Sequence, residues 1–600
     1  MEADLGVNKY MIIRRLLAGA AFFLAATAHA QWPVVPGEPA LTPKAVPQPL
    51  IRLPTIEAMA RATLPPVTAA EIESVREANR RSAVKQQARR VRVGVVRGDA
   101  AQGGLPAAAR MWTPVAGGRA AQIAVTSPEA GSLRLAIDLA GVPEDVEMVF
   151  FGSATARLEG PVRVGEVRDR SAAWWSPVTE GATQTVEFFV PARHDPAAWD
   201  LRVVRAAHLF TTPSSRFAKR LADIGTSGSC NVDIACSPLN STSAFQDVAD
   251  SVAQMVFNDG QFITLCTGSL LADGNSATQI PWFYSADHCM DNESAPYKTS
   301  AQMQQVADTL STLWGFQANS CVNGQGSNVP EASWSQLPGG AALIYNSIQN
   351  DVLLLRLNNA PPAGSFYSGW DANPVGVGAS VVSVHHPEGD LKKVSQGSIQ
   401  GFFVPGVAGG VQSFIEVLWG SGTTEPGSSG GGLWTSGGGQ YYFRGGLWGG
   451  SALCTNPFGT DNFSRLDQVY PQLAAYLGPA ITPAADYTDL WWNPNESGWG
   501  LNLVQHSSKV VFGVWYTYEL DGTRTWIVMP SGSWTSSTSY TGPLYTTNGP
   551  PFTATPFNPS LVQARQVGTA TLTFSSENTG AFAYSVDGVS GTKTMQRQPF

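Results

Sequence analysis

Residues 424–434 read TEPGSSGGGLW, and Ser429 sits at the centre of that glycine-rich turn. Glycine on both sides lets the backbone fold tightly enough to aim N–H groups and a hydroxyl at one point. A serine hydroxyl is a weak nucleophile at neutral pH, so it needs a base, a group to orient the base, and donors for an oxyanion. Two other stretches supply the first two. YSADHCM, residues 284–290, places His288 directly before Cys289, where a disulfide could pin its loop. NDVLLLRL, residues 350–357, places Asp351 at the mouth of an apolar run that reads as a buried strand. Each stretch has a bland reading: a glycine turn, a structural histidine, a strand-capping aspartate. Together they give the chain order His288, Asp351, Ser429, with Gly427 and Ser429 as the N–H donors of an oxyanion hole. The competing bases His385 and His386 lie in HHPEGD, residues 385–390, which reads as a loop.

Six hundred residues exceed one core and imply three or four domains. Only 14% of residues are charged, 10% are aromatic, and there are 61 glycines and 41 prolines. That mix favours turn-dense, all-β-dominated modules over helical bundles or disorder. A net charge of −8 gives no footing for nucleic acid.

Arg14 and Arg15 precede an apolar run at 16–27, and Ala28-His29-Ala30 closes it as a cleavage signal after Ala30. Residues 1–30 therefore read as a signal peptide, with Met11 the alternative start to Met1. No later run is long enough to span a membrane. Export makes the cysteines informative. All six lie between Cys230 and Cys454, an even number that reads as three disulfides in a secreted domain, with 15 pairings open and no metal-binding spacing.

A pro-region is expected over 31–219. It comprises a Pro-rich extended segment to about residue 67, a helical stretch at 69–90, and alternating runs from VRVGVVRG (91–98) to TVEFFVPA (185–192) that read as a β-sandwich. Residues 220–480 form the cysteine-bearing domain of short strands and glycine-rich loops, closed by a helix-like stretch, LDQVYPQLAAYL (466–477). ITPAAD (481–486) is a linker. Residues 487–600 form a separate all-β module, where Asp521-Gly522 marks a hairpin of the two-residue type. The Trp residues of WWNPNESGWG, 491–500, read as core more readily than as a ligand platform.

The order His, Asp, Ser is that of chymotrypsin-like peptidases, whereas subtilisin-like enzymes and α/β-hydrolases run otherwise. The middle of the chain resembles the bacterial lysyl endopeptidases, a branch of that family. The matching stretches are GTSGSCNVDIAC (225–236), LCTGSL (265–270), SADHC (285–289), WGFQANSC (314–321), DVLLLRLN (351–358), HHPEGD and TEPGSSG (424–430). The resemblance implies a double β-barrel with disulfides Cys230–Cys454, Cys236–Cys321 and Cys266–Cys289. It implies a mature chain starting at Gly225, with cleavage after Lys219 just upstream. It further implies hydrolysis after lysine, with Asp461 of CTNPFGTDNFSRL (454–466) holding the substrate ammonium, because Thr423, six residues before the nucleophile, cannot. Leu447, Trp448 and Gly449 would pair with the substrate backbone. SADHC departs from the family, which has Thr-Ala where this chain has Ser-Ala-Asp. The expected partners are polypeptide substrates and the chain's own pro-region, in a monomer without cofactor or metal. The alternatives are a serine peptidase of broader basic or other specificity, a non-catalytic binding protein of the same fold, or a surface-binding protein led by the last module.

Overall fold

The computed structural model describes residues 32–41, 49–53, 59–84, 90–98, 107–108, 111–167, 173–212, 227–275, 278–292, 295–322, 325–326, 334–404, 413–478, 482–507, 509–558 and 561–599. The expected signal peptide with its Ala30 site, and the Lys219 processing site, lie outside the described residues.

The alternating runs between residues 91 and 209 form a sandwich. One sheet orders Leu158–Arg163, Glu147–Gly152, Thr183–Pro191, Gly118–Thr126 and Met59–Thr63, the last pair parallel. The other carries Ser132–Asp138, Arg202–Leu209 and Val91–Arg97. Ile123, Leu135, Phe150 and Phe188 fill the space between them, each fully buried, as period-two alternation demands. The helix Ala69–Val84 covers the Val91–Arg97 strand.

The second of these sheets does not stop at the N-terminal sandwich. Val91–Arg97 pairs antiparallel with Phe262–Leu271 of the cysteine-bearing domain, so one sheet runs through both. Arg134 crosses the same boundary. Its guanidinium, completely buried, donates to Ser176 O on its own side and to Val256 O, Thr309 O and Ser311 Oγ on the other. Burial pushes its pKa down to about 9. Residues 32–41 also lie on the far domain. Val34–Val35 pairs with Trp370–Asp371, Glu38–Pro39 pairs with Phe366–Tyr367, and Trp32 packs edge-on against Tyr470 at 5.3 Å.

The cysteine-bearing domain is a pair of β-barrels. The first runs through Ser335–Leu337, Ser311–Trp314, Val252–Asn258, Phe262–Leu271, Trp282–Ser285, Val352–Leu357 and Ala341–Ser347, all antiparallel. The second is closed. Gln440–Gly450, Gly432–Gly437, Ser380–His385, Lys393–Phe403, Phe414–Ser421 and Thr460–Phe463 follow in order, and the last pairs back to the first. The helix Leu466–Leu477 buries Leu466, Val469, Tyr470, Leu473 and Leu477 in the main core. The disulfides are Cys230–Cys454, Cys236–Cys321 and Cys266–Cys289, the pairing the resemblance implied.

The last module is an antiparallel sheet curled until Arg524–Met529 meets Ser539–Asn548. Trp491, Trp515, Trp534 and Phe582 are in its core. The Asp521-Gly522 hairpin differs from the two-residue type. Tyr518 pairs with Arg524, and Glu519 N–H donates to Thr523 O, which leaves a three-residue loop with Gly522 at φ 83°. A type I turn followed by a left-handed glycine suits the same dipeptide.

Candidate active site

The strand Trp282–Ser285 delivers its chain into a single helical turn, Asp287–Met290, that presents His288. The Cys266–Cys289 disulfide ties this turn to the strand Phe262–Leu271. Asp351 stands at the entry to Val352–Leu357 with φ 51°, a left-handed conformation unusual outside glycine. Its carboxylate faces His288 twice. Oδ1 accepts from the His288 backbone N–H at 3.0 Å, and Oδ2 accepts from Nδ1 at 2.9 Å. A carboxylate on Nδ1 fixes the proton there and leaves the Nε2 lone pair as the basic position.

Ser429 comes from the second barrel but is fastened to the first. Thr267 N–H donates to Ser429 O at 2.8 Å, and Thr267 Oγ1 donates to Gly427 O at 3.0 Å. The Ser429 carbonyl also lies 3.8 Å from Cys289 Sγ, next to His288. Gly427 has φ 93°, and Gly430 has φ 79° with Ser285 Oγ only 2.2 Å from where a Cβ would sit. Only glycine serves at Gly430, since a side chain there would strike the first barrel. His288 Nε2 and Ser429 Oγ are both buried and both without a hydrogen-bond partner. The N–H groups of Gly427 and Ser429 carry none either among the described residues. Asp351 and His288 are thus bonded to each other, and the turn that carries Ser429 is fastened to the same barrel at the seam between the two.

His385 and His386 do not compete for this position. His385 is fully buried between Ser428 Oγ at 2.8 Å and Ser395 Oγ at 3.1 Å. Burial, then the charge of Lys393, lowers its pKa to about 3. Burial and Lys392 lower that of His386 likewise. Both are neutral struts beneath the serine turn.

Asp461 lies on Thr460–Phe463, fully buried. Its Oδ2 accepts from Trp419 Nε1 at 2.6 Å and from Thr424 Oγ1 at 2.7 Å. Thr424 opens the Ser429 turn, so the acid and the serine turn are linked by one hydrogen bond. A Cβ on Gly450 would come within 2.4 Å of Asp461 Oδ1, so glycine there keeps space beside the carboxylate. Trp419 and Thr424 were not singled out from sequence; the threonine of TEPGSSG was the available signal. Thr423 is buried and its carbonyl accepts from Ser395 Oγ. Leu447 is buried, with its N–H on Gly431 O and its carbonyl on Gly430 N–H. Trp448 stacks on Phe414 at 4.8 Å, and Gly449 opposes Asn462 across a register shift. Among the described residues no cluster of His, Cys, Asp or Glu is arranged to hold a metal ion.

One acid beside His288 has no counterpart in the expected chemistry. Asp287 is 2% exposed and accepts from Asn346 Nδ2 at 2.9 Å. Burial, then the charge of Asp351, raises its pKa to about 7. With the folded value above the ordinary one, the wild-type chain loses stability as pH rises from about 4 through 7, then levels off. Asp287→Asn is therefore expected to stabilise the fold at pH 8 by on the order of 3 kcal/mol and to have much less effect near pH 5. Urea unfolding of the Ser429→Ala chain with and without Asp287→Asn checks this. Equal gains at both pH values would contradict it.

Residues 224–464 match the family model described as "Lysyl endopeptidase, C-terminal domain", and residues 63–210 match "Lysyl endopeptidase N-terminal domain". A lysyl endopeptidase of Pseudomonas aeruginosa is 36% identical over 380 residues, covering 61% of this chain and 77% of that protein. Among solved structures, the active form of an M. tuberculosis protease matches at 17% identity and a TM-score of 0.27, over 44% of this chain and 95% of that one. The MamO protease domain of Magnetospirillum magneticum matches at 12% identity and a TM-score of 0.24, over 38% and 96%. The double barrel itself is seen in the strand pairing. The sequence matches carry the assignment: this chain is a peptidase and belongs to the lysyl endopeptidase family.

Proposed function

We propose that the chain is the precursor of a secreted serine endopeptidase that hydrolyses peptide bonds after lysine. The observation that carries this is the double hold of Asp351 on His288, beside a serine turn bonded to the same barrel. Ser429 Oγ attacks the substrate carbonyl while His288 Nε2 takes its proton, and Asp351 stabilises the imidazolium without taking a proton itself. The N–H groups of Gly427 and Ser429 receive the oxyanion. His288 then returns the proton to the leaving amine, and water repeats the cycle on the acyl-enzyme. Every group this sequence of steps needs is a side chain or a backbone amide.

Asp461 holds the lysine ammonium. Its Oδ2 is already oriented by Trp419 and Thr424, so the carboxylate is set in place before substrate arrives. A lysine ammonium offers this carboxylate an opposite charge that a neutral side chain does not, which is the basis of selection. The backbone around Trp448 and Gly449, where the Gln440–Gly450 register shifts, is the edge offered to an extended substrate. Three disulfides and the N-terminal signal fit export. Residues 31–219 act as a pro-region, removed near Lys219. The test is hydrolysis of a lysyl peptide ester by the processed chain, present in the native enzyme and lost in Ser429→Ala.

A further inference from the structure

A one-turn helix leaves its last carbonyls without helical N–H partners, and those carbonyls form the negative end of the turn. In Asp287–Met290 and the residue after it, two cations occupy them. Lys298 Nζ donates to Met290 O at 2.7 Å. Arg90 Nη1 lies 3.3 Å from His288 O, 3.1 Å from Cys289 O and 2.8 Å from Asp291 O. Arg90 is only 4% exposed. Lys298 belongs to the peptidase domain, whereas Arg90 belongs to the segment whose removal is proposed.

The neighbouring residue reaches the other half of the site. Val91 pairs with Leu265, one position before Cys266. Its Cγ1 lies 3.1 Å from where a Cβ on Gly427 would stand, so it packs on the backbone of the serine turn. One dipeptide thus touches both the His288 turn and the Ser429 turn, whose reactive atoms are buried.

We infer that the carbonyls of His288, Cys289 and Asp291 form a binding site for an arginine side chain, filled in the precursor by Arg90, and that this contact holds the pro-strand across the reaction centre. The inference rests on the reading of His288 and Ser429 as that centre. The physical reason lies in the alternatives. A strand edge that loses its partner can be hydrated, but covered carbonyls that lose a charged donor keep the full desolvation cost. Lys298 is already committed to Met290 O. A lysine at position 90 would keep the charge on a shorter stem and fall short of the carbonyls.

The test uses the whole chain carrying Ser429→Ala, with a site for an unrelated sequence-specific protease in place of residues 213–219. After cutting, the dissociation constant of the released pro-fragment is measured by dilution and size exclusion. Arg90→Ala is expected to weaken binding by about tenfold or more, and Arg90→Lys by less. Amide exchange over 288–292 should quicken while Ile263 and Leu265 stay protected. Unchanged dissociation in Arg90→Ala overturns the inference. If Arg90→Ala does not fold, an Arg90→Lys fragment that binds as tightly as the unsubstituted one overturns it instead. A parallel arm with Ser429 intact reads ester hydrolysis. Arg90-dependent binding, with no hydrolysis even after the fragment is removed, would overturn the reading of His288 and Ser429 as the reaction centre and leave the arginine site standing.

Discussion

Replacing Ser429 with alanine is expected to lower kcat toward a lysyl peptide ester by about 10^4- to 10^6-fold, the scale seen when one member of a nucleophile–base unit is removed. The fold should be indifferent to the change. Ser429 Oγ makes no hydrogen bond, and the turn is held instead by Thr267 N–H on Ser429 O and by Thr267 Oγ1 on Gly427 O. Neither contact involves the deleted hydroxyl. The measurement is therefore a pair: steady-state kinetics and a urea unfolding curve. A large loss of activity with an unchanged unfolding midpoint assigns the hydroxyl to the chemistry. Activity within tenfold of the native enzyme would remove Ser429 from it.

Asp461→Asn is expected to reduce kcat/KM for lysyl substrates by about 10^3-fold while leaving slow hydrolysis of neutral substrates nearly unchanged. The amide oxygen of asparagine can still accept from Trp419 Nε1 and Thr424 Oγ1, the two donors that hold Oδ2. The barrel and the serine turn keep their geometry, and only the charge is lost. The loss should fall on lysine far more than on neutral side chains, which a matched series of peptide esters reads directly. An equal loss on every substrate would make Asp461 a support for the Thr424 end of the serine turn, with no role in selection.

The candidate site could be read from sequence because its residues lie in short contiguous motifs. TEPGSSG demands glycine at 427 and 430, and both adopt positive φ. Asp351 precedes its strand as NDVLLLRL suggested. The strands followed from alternation; of the helices expected at 69–90 and 466–477, the first is seen over Ala69–Val84, with Arg90 outside it, and the second over Leu466–Leu477. What escaped depends on pairing between distant residues. Arg90 is the last residue of the stretch expected to be helical, yet it is buried on carbonyls some 200 positions away. Arg134 sits mid-strand with nothing local to show that it bridges two domains. The sheet that continues from Val91–Arg97 into Phe262–Leu271 is a matter of edge register, which no local pattern encodes. Trp419 and Thr424 act only because a strand and a loop, 42 and 37 residues before Asp461, converge on it.

Ser429 and Asp461 together are expected to make a peptidase that selects lysine, and digestion of a long unstructured polypeptide by the processed enzyme, with mass-spectrometric mapping of every cut, decides it. Cuts that follow lysine, absent from the Ser429→Ala digest, are the expected result. Cuts spread over other residues would contradict the role given to Asp461, and identical cuts in both digests would contradict the role given to Ser429.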